Sequence, residues 1–309
     1  MQRTTASGGA VGRRLAHATA VLAAALALVA TVGPLAGTAS AHAADSGSLT
    51  FSGDPGEKIS GGQSQQFTTD AGDAFDVSGA RDENSVFVQV LTPDGNRWAL
   101  NMAAPDGEKL TSGTTYTGAL RWPYAGSTDS ELNFSGTDRD CASSSTGSFT
   151  ISNISFGPYG SVRALDATFE QYCDGSGLAL RGEVHSVMPE PPAALALGLA
   201  LDPQGTVPAP GGQPTVGGTV TCNKPAQVTV DGRLTQAQKR VTASNWFKTT
   251  VECTPGAPVH WTATPADSQD ALPFQSGSAG LSATATADDR DYGVTVTTNQ
   301  STVIDLTRA

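Results

Sequence analysis

Residues 164–186 read ALDATFEQYCDGSGLALRGEVHS, and no other stretch constrains the fold as tightly. Apolar and polar residues alternate on both sides of Asp174-Gly175-Ser176-Gly177. Period-two alternation around a break rich in Gly and Asp is the signature of a β-hairpin. Leu165, Ala167, Phe169 and Cys173 share one face of the first arm, and Leu178, Leu180 and Val184 share the facing side of the second. If Cys173 opposes Leu178, Phe169 lies opposite Gly182, where an aromatic ring covers a weak strand position. The same register sets Glu170 opposite Arg181 and Asp166 opposite His185 on the outer face. Such cross-strand pairs contribute about 0.2–1 kcal/mol each. Packing and charge therefore select one register, and a one-residue slip would reverse the faces of one arm.

Upstream, strand patterns cover Ser48–Ser52, Ser64–Thr69, Ala74–Ser78, Ser85–Leu91, Arg97–Ala103, Thr114–Arg121 and Ser148–Phe156. Turn signals such as Asp54-Pro55-Gly56, Pro93-Asp94-Gly95 and Pro105-Asp106-Gly107 fall between them. Many short strands with regular turns predict an all-β sandwich or barrel for residues 44–187. Residues 188–193 begin Met-Pro-Glu-Pro-Pro and predict an extended, semi-rigid linker. Residues 194–309 alternate again through Val216, Val220 and Cys222, then Val228, Val230 and Leu234, then Phe247, Val251 and Cys253. Val259, Trp261 and Ala263 follow, with last strands over Ser278–Ala287, Gly293–Thr298 and Thr302–Leu306. The length and pattern suit an immunoglobulin-like sandwich. The fold class is thus all-β, with two sandwich-like domains.

The N-terminus carries Arg3, Arg13 and Arg14, an apolar run over 18–32, and Ala41-His42-Ala43. This predicts a signal peptide over residues 1–43 and a secreted, extracellular chain. A retained anchor is disfavoured because the run is shorter than the ~20 residues that span a bilayer. Arg13-Arg14 leaves twin-arginine export open beside the general route. The leader holds three of the 18 basic residues and none of the 29 acidic ones, leaving 15 against 29, a net charge near −14. That balance argues against nucleic acid or an anionic membrane as partner. All four cysteines follow the leader, at spacings of 32 and 31 residues. An even count in an exported chain predicts disulfides, Cys141–Cys173 and Cys222–Cys253. Each stabilises by roughly 3–4 kcal/mol in the chain-entropy model. A zinc site is the rival reading, but there is no C-x-x-C, and only His185 and His260 remain.

Several blocks stand in a recognisable order: Asp54-Pro55-Gly56-Glu57 with Ile59-Ser60-Gly61-Gly62-Gln63, Ala103-Ala104-Pro105 and Gly107 with Tyr116-Thr117-Gly118, and Arg121-Trp122-Pro123-Tyr124. Then come Cys141 with Thr146-Gly147-Ser148-Phe149, and Phe169-Glu170-Gln171-Tyr172-Cys173 with Gly175, Ala179-Leu180 and Gly182. With these residues the first region resembles a functionally uncharacterised module of secreted proteins from actinobacteria and some other bacteria. Its members often carry His where this chain has Tyr172, so no catalytic or metal-binding role at that position is implied here. The second region is similar to small secreted domains of unknown function from the same kind of bacteria. Neither resemblance implies an activity.

No catalytic residue is assigned. The chain has no G-x-S-x-G elbow; the nearest run is Ser276-Gly277-Ser278-Ala279-Gly280. Glu170, Asp166, Glu183 and His185 converge on one hairpin face, which could seat a glycosidase-like acid and base or could be a solvated face of ion pairs. Asp138-Arg139-Asp140 and Asp288-Asp289-Arg290-Asp291 are acidic turns without an EF-hand pattern, so neither a metal nor any other cofactor is expected. Trp98, Trp122 and Tyr124 are the ligand-binding candidates, because aromatic rings with polar tips stack on sugars or partner surfaces, although a sandwich core or corner suits such rings better still. Trp246 and Trp261 are expected in the core. The reading is a non-enzymatic binding protein for an extracellular glycan or protein ligand. A hydrolase using the hairpin carboxylates and a structural or inhibitory protein remain the alternatives.

Overall fold

Alternation dictates the elements. The computed structural model describes residues 42–208, 213–266 and 272–309, and among these the regular structure is strand apart from two short 3₁₀ turns. The first eleven strands are β1 (His42–Ala43), β2 (Ser46–Gly53), β3 (Gln65–Thr68), β4 (Ala74–Gly79), β5 (Ser85–Leu91) and β6 (Arg97–Ala103), then β7 (Thr114–Leu120), β8 (Glu131–Gly136), β9 (Ser145–Phe156), β10 (Val162–Cys173) and β11 (Ala179–Val187). They form one sheet in the order β1-β4-β5-β6-β8-β7-β9-β10-β11-β2-β3. The leader expected over residues 1–43 lies outside the described residues except for His42–Ala43, which pairs with β4. No described helix is long and apolar enough to cross a membrane.

One apolar cluster collects the inner faces of all these strands except β1 and β3, from Leu49 to Met188. Phe51 on β2 meets Trp98 on β6 at 4.6 Å between ring centroids and Phe134 on β8 at 4.9 Å. Strands near opposite parts of the sheet order thus share one core, so the sheet rolls upon itself. Strand β8 is not among the sequence-predicted strands. Its pattern is short, Leu132 and Phe134 alternating with Asn133 and Ser135, and tertiary contact decides it. Strand β7 pairs with β8 only at Leu120–Glu131, which leaves the Phe134 backbone short of a neighbour. The side chain of Gln171 supplies one from β10. Its Oε1 accepts from Phe134 N at 2.7 Å and its Nε2 donates to Phe134 O at 2.9 Å.

The hairpin of β10 and β11 takes the expected register, with Phe169 opposite Gly182, Glu170 opposite Arg181 and Asp166 opposite His185. The last pair is Tyr172–Ala179, so Leu178 stays outside the ladder and is exposed rather than inward. The Phe169–Gly182 arrangement recurs. Trp98 opposes Gly136, Phe247 opposes Gly232, and Trp261 opposes Gly218. In each pair a ring lies where the glycine would carry a Cβ: that atom at Gly182 would stand 2.3 Å from Phe169 Cζ. At Gly232 it would also stand 2.2 Å from the Ser282 carbonyl oxygen, which is backbone and cannot turn aside. Overpacking of this kind costs about 1–3 kcal/mol. Gly232→Ala is expected at the top of that range and Gly182→Ala lower, read from chemical-denaturation midpoints. Equal or stabilising effects at both sites would refute the steric reading.

The remaining strands are β12 (Leu197–Leu201), β13 (Gln204–Val207), β14 (Val216–Cys222), β15 (Ala226–Gln238), β16 (Val241–Cys253), β17 (Val259–Ala263), β18 (Gly277–Asp289) and β19 (Val294–Arg308). They form a three-stranded sheet, β12-β14-β17, and a five-stranded sheet, β13-β19-β18-β15-β16. Between the sheets lies a second apolar cluster, from Leu195 to Leu306. Strand β19 runs unbroken where two strands were predicted, because residues 299–301 pair with β18. Disulfide Cys222–Cys253 ties β14 to β16 and so joins the two sheets; Cys141–Cys173 closes the first region. Both pairings follow the sequence spacing, and two disulfides point to an oxidising compartment.

The Pro-rich stretch is held from both sides. Met188 belongs to the first cluster and Leu195 to the second. Arg163 Nη2 donates to Glu190 at 2.5 Å, and the Tyr292 hydroxyl donates to Pro192 O. Asp289, fully buried, accepts from Leu195 N at 2.7 Å and from Lys224 Nζ at 2.6 Å. Lys224 also reaches Asp291 at 2.7 Å and Ala193 O at 3.0 Å. Burial alone would raise the Asp289 carboxyl, but the hydrogen bonds from Lys224 and the Leu195 amide, with the Lys224 charge, hold it below its ordinary value.

Candidate functional site

Period two places residues 166, 168, 170 and 172 of β10 on the outer face. Strand pairing extends them into rows across the sheet. One row runs Ser52, Arg181, Glu170, Ser148, Thr117, and the next runs Thr50, Glu183, Thr168, Thr150, Thr115. The β2, β11, β10 and β9 members of these rows line a groove of about 520 Å³ bounded by Ser64 of the β2–β3 connection. Its polar inventory is hydroxyls, two carboxylates and one guanidinium.

The charged groups differ in how fully they are engaged. Arg181 Nε donates to Glu170 at 2.7 Å and Nη1 to Asp54 at 3.3 Å. The Tyr172 hydroxyl donates to the other oxygen of Glu170, and this bond raises the phenol's pKa. Asp54 accepts from Ala179 N at 2.9 Å, which with Arg181 holds its carboxyl below the usual range against the effect of burial. Asp166 is taken by His185 and, at 3.1 Å, by Asn153. Glu183 lies exposed in the groove with no side-chain hydrogen bond or ion pair among the described residues. Thr150 Oγ1 is shared with Thr115 at 2.9 Å, so a ligand entering there finds Glu183 and the Thr50 and Thr168 hydroxyls free among the described residues.

The aromatic candidates separate by burial. Trp98 is 5 % exposed, stacked on Phe134 at 5.7 Å, so it is a core residue and is not presented to a ligand. Trp122 is 73 % exposed and Tyr124 is 55 % exposed. They follow β7, on a loop anchored by Arg121, whose guanidinium donates to Asp140 at 3.1 Å and to Cys141 O at 2.7 Å. Leu120 pairs with Thr146, which pairs with Tyr172. The loop therefore leaves the sheet at the same end as the hairpin turn, beyond the Glu170–Arg181 row. Trp261 is buried as expected, whereas Trp246 is not, being 63 % exposed on the outer face of β16. Its neighbour Phe247 fills the inward position, and alternation turns the indole out.

The acidic turns are engaged within the protein: Asp140 by Arg121, and Asp289 and Asp291 by Lys224. Motif residues of the first region likewise have structural partners. Buried Glu57 accepts from Ile59 N at 2.8 Å and Ser60 N at 2.7 Å, which folds the Asp54–Gly62 turn. Asp174 accepts from the backbone N–H of Ala142 at 2.9 Å, Ser143 at 2.7 Å and Ser144 at 3.2 Å. Those bonds, the Ala142 one foremost, hold its carboxyl far below the ordinary value. A depressed carboxyl stabilises the fold above its unfolded pKa, and that contribution is lost only as pH falls through the folded pKa. Carboxyl NMR should therefore show Asp174 still ionised as pH passes about 3.9. A midpoint there would show that the clamp is absent.

No protein-family model and no curated protein matches this chain.

Proposed function

We propose that the chain is a secreted, non-enzymatic binding protein whose ligand is a carbohydrate of the extracellular surroundings. The observation that carries the reading is the exposed Trp122–Tyr124 loop, which leaves the sheet at the hairpin-turn end of the face whose hydroxyl-lined groove holds a free carboxylate at Glu183. Ring C–H faces stack on indole, and sugar hydroxyls exchange hydrogen bonds with threonine, serine and carboxylate. In this reading residues 1–43 direct export, and residues 44–187 are the uncharacterised module that their motifs resemble. Residues 194–309 are an immunoglobulin-like sandwich. The strand order supports that likeness, including the parallel pairing of β13 with β19. The disulfide departs from the antibody pattern, because Cys253 lies at the end of β16.

The hydrolase alternative is weaker on this geometry. A general acid must hold a proton, and Glu170 is ion-paired to Arg181. Retention of residues 44–309 on insoluble cellulose, chitin and peptidoglycan tests the binding reading. The expected result is saturable retention on one polymer, reduced about ten-fold or more by Trp122→Ala with the fold unchanged. Equal retention of the variant would remove the loop from the site. Activity on the same polymers that falls with Glu170→Gln would favour the hydrolase.

A further inference from the structure

The outer face of the five-stranded sheet carries a second constellation. Trp246 on β16 lies opposite Arg233 on β15, which lies opposite Ser282 on β18, which lies opposite Ser301 on β19. The neighbouring row is Lys248, Asp231, Thr284, Asn299. Four strands at about 4.8 Å spacing make a platform roughly 14 Å wide. A shallow concavity of about 150 Å³ lies on it between Trp246, Asp231, Ser282, Thr284, Asn299 and Ser301.

The platform is ordered before any ligand arrives. The Arg233 guanidinium lies 5.2 Å from the centre of the indole, and its Nε donates to Ser244 Oγ at 2.5 Å. Thr284 Oγ1 donates to Asn299 Oδ1 at 3.0 Å, which leaves the Asn299 amide nitrogen to donate outward. Asp231 and Lys248 stand opposite one another, yet among the described residues neither side chain makes a hydrogen bond or an ion pair. An anchored indole thus sits beside a carboxylate, an ammonium, an amide and two serine hydroxyls, all with bonding capacity to spare.

We infer that this face is a second carbohydrate site, which takes the C–H face of a neutral pyranoside chain on Trp246. The inference rests on the carbohydrate-binding reading above and adds a site that it does not use. Asp231 accepts from adjacent hydroxyls of one ring, while Asn299, Ser282 and Ser301 serve the next. The ligand is neutral because the local charges are mixed in sign and the whole chain is strongly acidic, so an anionic polymer is repelled.

The chain's four tryptophans make the test selective, since Trp98 and Trp261 are buried while Trp122 and Trp246 are exposed. In a Trp122→Phe protein, emission that acrylamide can quench reports Trp246; in a Trp246→Phe protein it reports Trp122. The probes are cellohexaose, chitohexaose, laminarihexaose and xylohexaose. In the Trp122→Phe protein one of them is expected to protect the indole about two-fold from quenching, saturably. Adding Asp231→Ala should weaken that binding about ten-fold. Protection confined to the Trp246→Phe protein would overturn the inference and leave the first site standing. Protection confined to the Trp122→Phe protein would support the inference and remove the first site. No protection of either indole by any probe would overturn both.

Discussion

Asp289→Ala is expected to lower stability by about 3–5 kcal/mol, the usual penalty for breaking a buried ion pair from one side. Asp289 gathers three donors at one buried carboxylate. Its carboxylate accepts the Leu195 amide, accepts Lys224 Nζ, and caps the turn through the Asp291 amide at 3.2 Å. Removing it leaves the Leu195 N–H without a partner at the point where the Pro-rich stretch enters the second cluster. Lys224 keeps the Ala193 carbonyl oxygen and, as its one remaining carboxylate among the described residues, half-exposed Asp291. Urea unfolding followed by the emission of the two buried indoles, Trp98 and Trp261, in a background where the exposed ones are phenylalanine, measures the loss. If the penalty comes from the stranded charge, Lys224→Met with Asp289→Leu should recover most of it. A loss below about 1 kcal/mol in the single variant would mean that water reaches the site. The sign of the pH dependence follows from the depressed carboxyl. The contribution of Asp289 is full above the unfolded pKa and disappears as pH falls through the folded value.

Gln171→Leu should cost about 2–4 kcal/mol, through two backbone groups rather than through lost volume. Leucine fills nearly the same space, but Phe134 N and O both lose their only side-chain partner in a site where Gln171 is 1 % exposed. Gln171→Glu separates the two halves of the effect. A carboxylate can still accept from Phe134 N but can only repel Phe134 O, so this variant should also destabilise. Hydrogen exchange at the Phe134 amide gives a local readout, and exchange should accelerate in the leucine variant well before global unfolding. An unchanged amide with unchanged stability would mean that β8 has another partner.

How much of this was legible depended on whether period two or residue type was trusted. The β10–β11 register could be read, because charge and the Phe169–Gly182 contact pointed the same way. Trp246 shows the opposite lesson. With Phe247, Val251 and Cys253 on the inward phase, Trp246 had to face outward, yet its bulk suggested a core. For Trp98 the sequence allowed a core place as well as a ligand site, and the inward phase it shares with Leu100 and Met102 decides for the core. The groove was only half visible. Its hairpin carboxylates could be seen, but most of the threonine and serine hydroxyls come from β2 and β9, whose pairing no local pattern encodes. Strand β8 and the Gln171 amide were invisible for the same reason, since both are defined by contact across the rolled sheet.

The carboxylate of Asp174 also bears on how the thiols find one another. Four cysteines allow three pairings. A disulfide exchange enzyme has no knowledge of which is native; it accelerates whatever encounters the chain presents. Asp174 follows Cys173 directly and accepts from the three amides after Cys141, a contact that needs no disulfide and would hold these two segments together in a chain that folds before it is oxidised. In such a chain the correct pair would meet at a high effective concentration, and the choice of partner would be made by non-covalent structure.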